Sequence, residues 1–283
     1  MHLFAWDETN QLVETSTASK QKIYFCRECR SPVKLRGGFL RQKHFYHLHN
    51  NRACRQSGKS MAHLQVQLYL KKLREDAVVE KHFSSINRIA DVVWEKDKLI
   101  FEIQCSPILS REVTARNSDY SMLGYTVIWI LHDQTFNQRQ WSAAEYFLQE
   151  FTHYYTNIDE EGTGCIYDRW DLIKKRIRCS VWNHRPVNVA HFTEWKPLFV
   201  EEIYPDWMKI RMKGWKFSFS GDFLDHISQL SEEERRIFLD TQEGSVSFFN
   251  PGCVPFVKKI FYFLCLPYRL YLKLLIEKLS VNK

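Results

Sequence analysis

Short apolar runs broken by charged turns set the pattern of the first half of the chain. Arg88-Ile-Ala-Asp-Val-Val-Trp94 and Leu99-Ile-Phe-Glu-Ile-Gln104 are two such runs, separated by Glu95-Lys-Asp-Lys98. Their spacing predicts a β-hairpin. Before it, Ser60 stands as cap to a segment running to about Glu75, with Met61, Leu64 and Leu68 on one side and Val66, Leu70 and Leu73 on another. Apolar residues on two sides predict an interior helix. Ala77 to His82 predicts a short strand. After the hairpin come a helix capped by Ser110 and closed by Gly124, then a strand through Leu131. The order is helix, three strands, helix, strand.

The flanks are read the same way. The residues up to about Ser19 predict an edge strand or a loose start. Lys22 to Cys26, Val33 to Arg36 and His44 to His47 predict strands around a Gly37-Gly38 turn. Ser142 to Tyr155 predicts an aromatic-rich helix, Glu160 to Gly164 a loop, and Asp168 to Arg178 a short basic helix. A helix is expected to start at Ser231, and Phe256 to Leu279 to form two short amphipathic helices split at Pro267. The expected fold class is α/β, with a module over 1–57, a core domain over 58–150 and a mainly helical region over 151–283.

Composition narrows the class. The 283 residues are 45% hydrophobic and rich in aromatics, so the chain is globular and large enough for two or three small domains. Its net charge of +7 permits a polyanionic partner. Of eight cysteines only Cys26 and Cys29 are closely spaced, which fits a reducing compartment better than a disulfide framework. The first residues have no signal-peptide pattern, and the apolar run Ile260 to Tyr268 is too short to span a bilayer. A cytoplasmic protein without stable membrane insertion is expected.

Two sets of residues carry chemistry. Cys26-Arg-Glu-Cys29 followed by a hairpin with His44 and His47, then Cys54, has the plan of a zinc ribbon. Cys26, Cys29 and His47 are three expected ligands of a structural Zn2+, and either Cys54 or His44 is the fourth. Arg27, Arg30, Lys34, Arg36, Arg41 and Lys43 surround this module and offer a phosphate-contacting surface. The second set lies on the hairpin. Asp91 and Glu102 sit inside apolar strands, where a lone carboxylate is costly, and alternation puts Gln104 on the face of Glu102. Together they could hold Mg2+ or Mn2+ through oxygen ligands.

Asp followed by Glu-x-Gln on the next strand resembles the PD-(D/E)xK nuclease core. The longer string Arg88-Ile-Ala-Asp91, Phe101-Glu-Ile-Gln-Cys-Ser-Pro-Ile108 and Tyr125-Thr-Val-Ile-Trp-Ile-Leu131, with the Cys/His module upstream, is similar to the CoiA family of competence proteins. The resemblance covers roughly residues 20–150 and implies a restriction-endonuclease-like αβββαβ core. It also implies Cys54 as the fourth zinc ligand. Gln104 replaces the usual Lys, as it does in that family, and leaves the general base unassigned, with His63 the best candidate by residue type. Ser60-Met-Ala-His63 has Ala62 where the family tends to have Glu. Arg116 and Tyr120, one turn apart, would line the site and contact DNA phosphates.

The function implied is metal-dependent processing of incoming DNA in natural transformation and recombination. The expected partners are DNA, single-stranded or in recombination intermediates, and recombination proteins. The alternative is an inactive DNA-binding adaptor on the same fold. A third expectation, from another class, is membrane-surface attachment through the aromatic and basic residues 256–283.

Overall fold

The computed structural model describes residues 1–191 and 215–219, apart from positions 40, 50, 52, 149, 150, 169, 175 and 182–184. The chain divides into two compact units. One is Met1–Asn137 with Tyr155–Ile166, and the other is Gln138–Tyr154 with Tyr167–Lys283.

In the first unit a five-stranded antiparallel sheet comes first. Its strands are β1 (Phe4–Trp6), β2 (Leu12–Glu14), β3 (Tyr24–Phe25), β4 (Pro32–Arg36) and β5 (His44–His47), in the order β2-β1-β3-β4-β5. The first residues are therefore more ordered than a loose start, with β2 at the edge and β1 inside. On β4 the buried residues Val33 and Leu35 alternate with exposed Lys34 and Arg36, as a strand with one solvated face requires. Val33, Leu35 and Phe45 join Ala5, Tyr24, Cys26 and Cys54 in a small core. Gly37 makes the turn after β4 with φ of +101°, and a Cβ there would lie 2.5 Å from the Gln42 carbonyl oxygen. Only glycine fits that close approach.

The second part of this unit has the order helix, three strands, helix, strand. Helix α1 spans Met61–Leu73, and the Ser60 hydroxyl accepts from the His63 N–H at 3.2 Å as its N-cap. Strands β6 (Ala77–Phe83), β7 (Arg88–Trp94) and β8 (Leu99–Gln104) run antiparallel in turn. Helix α2 (Ser110–Ser121) then crosses back to β9 (Thr126–His132), which pairs parallel with β8. The sheet order β9-β8-β7-β6 keeps β8 and its acid in the middle. All six residues of β8 are buried, so its run reads apolar on both faces. Ser110 is the first helical residue of α2 and not its cap, since Leu109 occupies the cap position without a side-chain hydrogen bond.

The second unit corrects two expectations. Among the described residues the helix predicted from Ser142 covers Ala143–Leu148, and His153–Thr156, which ends in the first unit, is a strand. Asp168 to Arg178 is not a helix. Trp170–Lys174 and Ile177–Val181 pair antiparallel, and Trp215–Phe219 pairs with the first of them. Pairing with strands from elsewhere in the chain overrides the local helix signal here. The helices expected from Ser231 and over 256–279 lie outside the described residues. Among those described, no helix is long and apolar enough to cross a membrane.

Candidate functional site

Cys26, Cys29, His47 and Cys54 converge at one end of the five-stranded sheet. Their four ligand atoms all lie within 4.8 Å of one another. Cys26 follows β3 and opens a tight turn in which its carbonyl accepts the Arg30 N–H at 3.1 Å, Arg30 taking a φ of +58°. The turn brings Cys29 back to His47, with 3.3 Å between Sγ and Nε2. Cys54 Sγ lies 3.7 Å from Cys26 Sγ. The Cys54 thiol beside Cys26 holds the Cys26 thiol below its usual range against the cost of burial, and the backbone amides of Cys29 and Glu28 assist. Three sulfur donors and one imidazole fit a tetrahedral ion such as zinc. His44 is not part of the group. It pairs with Arg36 across the hairpin while His47 pairs with Val33, and its Nδ1 is 3.0 Å from the Gln42 carbonyl oxygen. Successive strand residues face opposite ways, so three positions separate the two histidines onto different faces.

The six basic residues around the module divide. Arg27 donates to the Glu80 carbonyl at 2.5 Å, and Arg30 stacks over Trp6 and donates to Asn10 Oδ1 at 2.9 Å. Lys34, Arg36 and Arg41 are exposed, with the fully exposed Phe39 at the hairpin tip between them, and Lys43 is half-buried. Lys34 and Arg36 face water, and Arg41 pairs with Glu160 at 3.5 Å.

The acidic residues of the core form a row across the sheet. Pairs Val79↔Val92 and Lys81↔Ala90 place Glu80 of β6 opposite Asp91 of β7. Pairs from Val92↔Phe101 to Trp94↔Leu99, carried one step further, place Asp91 opposite Glu102 of β8. Glu80, Asp91 and Glu102 are 2%, 4% and 1% exposed. Sequence reasoning found the last two and missed Glu80, because Ala77 to His82 predicts a strand but does not give its register against Asp91. Glu80 also has a φ of +52° in mid-strand, a strained conformation for a non-glycine residue. Its carboxylate accepts the N–H groups of Leu3, at 3.2 Å, and Phe4, at 3.3 Å, and so clasps β1 to the core.

Each carboxylate is filled by donors of the protein itself. Asp91 Oδ1 takes the Lys59 ammonium at 2.7 Å, His63 Nε2 at 3.1 Å and Gln67 Nε2 at 3.3 Å, and Oδ2 takes the Ile103 N–H at 2.9 Å. An ionised carboxylate only accepts, so His63 carries its proton on Nε2. Burial opposes ionisation of Asp91, yet Lys59 and His63 outweigh it and hold the carboxyl well below its usual range. Burial lowers the pKa of His63 itself, with Asp91 opposing. Glu102 accepts from the Arg116 guanidinium through Oε2 and from the Tyr120 hydroxyl at 2.7 Å through Oε1. Burial raises the Glu102 carboxyl above its usual range, with Arg116 opposing. Arg116 and Tyr120 thus turn inward to Glu102 instead of lining a rim, because the α2 face that carries them packs on the sheet. Gln104 turns its amide to the Ser106 carbonyl at 2.6 Å. As these groups stand, a divalent cation does not fit at Asp91 Oδ1, which already accepts three donors.

A sheet of this order, with buried acids on its central strands and a preceding module whose Cys/His cluster could hold a metal such as zinc, defines an α/β protein of the nuclease-like class. The family model described as the competence protein CoiA nuclease-like domain matches residues 57–167, and that of the CoiA N-terminal domain matches residues 7–57. The chain belongs to the CoiA family of competence proteins. No curated protein and no solved structure matches it.

Proposed function

We propose that this protein binds incoming DNA during natural transformation and recombination, with its nuclease-like domain serving as a scaffold and its N-terminal module held by Zn2+. The observation that carries this is the outward face of the β4–β5 hairpin. There Lys34 and Arg36 face water beside an exposed Phe39, with Arg41, paired to Glu160 at 3.5 Å, next to it. Basic side chains neutralise phosphates, and an exposed aromatic ring stacks on an unpaired base, so single-stranded DNA is the favoured form. The closed acidic row supports a scaffold in place of an enzyme.

Anisotropy of labelled single-stranded and duplex oligonucleotides tests the reading. Affinity should fall steeply as salt rises, and Lys34→Ala with Arg36→Ala should weaken binding at least tenfold and flatten the salt slope. Binding that is indifferent to salt, or unchanged in that variant, refutes it. A second reading, metal-dependent deoxyribonuclease, draws on the three aligned carboxylates. It predicts cleavage in Mg2+ or Mn2+ that Asp91→Asn abolishes.

A further inference from the structure

The residue that the mechanism expected from sequence does not use is Lys59. It stands between Gly58 and the helix cap Ser60, in a stretch that reads as linker. In the fold its side chain is only 10% exposed and its Nζ lies 2.7 Å from Asp91 Oδ1 and 4.0 Å from Glu80 Oε1. The cap hydrogen bond from Ser60 fixes the backbone next to it, so the ammonium is placed by α1 and not by a free loop. His63, a turn further on, and Gln67, the next turn, donate to the same Asp91 oxygen.

We propose that the Lys59 ammonium is the resident cation of the acidic row, occupying the position between Glu80 and Asp91 from which a divalent ion would otherwise bind them. Mg2+ or Mn2+ requires a carboxylate oxygen at about 2.0–2.2 Å with a free lone pair. Asp91 Oδ1 already accepts three donors, and the ammonium and the N-terminal end of α1 both repel a second cation there. Removing Lys59 takes away the closest of the three donors on this oxygen and a positive charge at one stroke, leaving the His63 and Gln67 hydrogen bonds there. Lys59 is then the main barrier to a divalent ion, while the carboxylates that would bind one remain in register beneath it.

This deepens the scaffold reading of the same site, and its test uses no DNA, so failure of DNA binding and failure of this inference are separate results. The full-length, zinc-loaded protein is titrated with Mn2+ and free Mn2+ is followed by electron paramagnetic resonance. Wild type should show no Mn2+ site that Asp91→Asn removes. Lys59→Ala should gain one Mn2+ per chain, bound at least tenfold tighter than any background, and Asp91→Asn in that variant should abolish it. Lys59→Met, which keeps the apolar stem and removes only the ammonium, is measured beside it, with circular dichroism confirming the fold. Lys59→Arg should still exclude Mn2+. A wild-type Mn2+ site that depends on Asp91 overturns the proposal by itself, as does a folded Lys59→Ala or Lys59→Met chain that binds none.

Discussion

Replacing Arg116 by Met should cost more stability than replacing the Glu102 it neutralises. Glu102 is 1% exposed and has two partners, the Arg116 guanidinium and the Tyr120 hydroxyl. Arg116→Met keeps most of the volume but leaves a buried carboxylate with a single neutral donor. Breaking a buried pair from one side costs about 3–5 kcal/mol, and the surviving Tyr120 bond puts this case near 3 kcal/mol. That is roughly a hundredfold in the folding equilibrium. Glu102→Gln removes the demand for a cation, keeps an acceptor for Tyr120, and leaves Arg116 with water and with Glu112 at 2.9 Å. About 1 kcal/mol is expected there.

The penalty in Arg116→Met should also depend on pH with a definite sign. Burial already raises the Glu102 carboxyl, and losing the guanidinium raises it further. A carboxyl that is raised in the folded state destabilises nothing below its unfolded value of about 4.3, then costs progressively more as pH rises through the folded value. Urea denaturation followed by tryptophan fluorescence at pH 5 and pH 7.5 measures both effects. Equal costs for the two substitutions, or a loss in Arg116→Met that grows on acidification, would refute the assignment of a buried, charged Glu102 held by Arg116.

Three further outcomes follow from the same geometry. Elemental analysis should find one zinc per chain, lost with Cys54→Ser and kept with His44→Ala, because only Cys54 converges with Cys26, Cys29 and His47. Gly37→Ala should lower stability by about 1–3 kcal/mol, measured by urea denaturation, since its positive φ and the Gln42 carbonyl leave no room for a Cβ. Asp91, lowered despite burial by Lys59 and His63, contributes stability that is present above its unfolded value of about 3.9 and lost as pH falls below it. Acid unfolding curves should show this loss in wild type, and it should be absent from a folded Asp91→Asn chain, which is less stable at neutral pH.

Local pattern was enough for the elements around the site. The four-residue polar turn between two apolar runs gave the β7–β8 hairpin, Ser60 gave the start of α1, and the Cys-x2-Cys spacing gave the knuckle. These signals lie within a few residues of one another, where turn chemistry and side-chain alternation act directly. Where two local signals competed, the sequence misled. Asp168 to Arg178 carries charges that suit a helix surface, but Trp170–Lys174 became a strand by pairing with Trp215–Phe219 from far along the chain.

What the sequence by itself determined is the α/β order of the core, the convergence of paired cysteines with a following histidine, and the presence of acids inside apolar strands. Only the tertiary structure decided which charges those acids meet. Register between β6 and β7 added Glu80 to the row, and the docking of α1 and α2 on the sheet brought in Lys59, Gln67, Arg116 and Tyr120. Partners separated by 14 to 32 positions leave no periodic trace in a sequence. Burial makes a carboxylate demand a cation, but it is the packing of neighbouring elements that decides whether the cation comes from solution or from the chain.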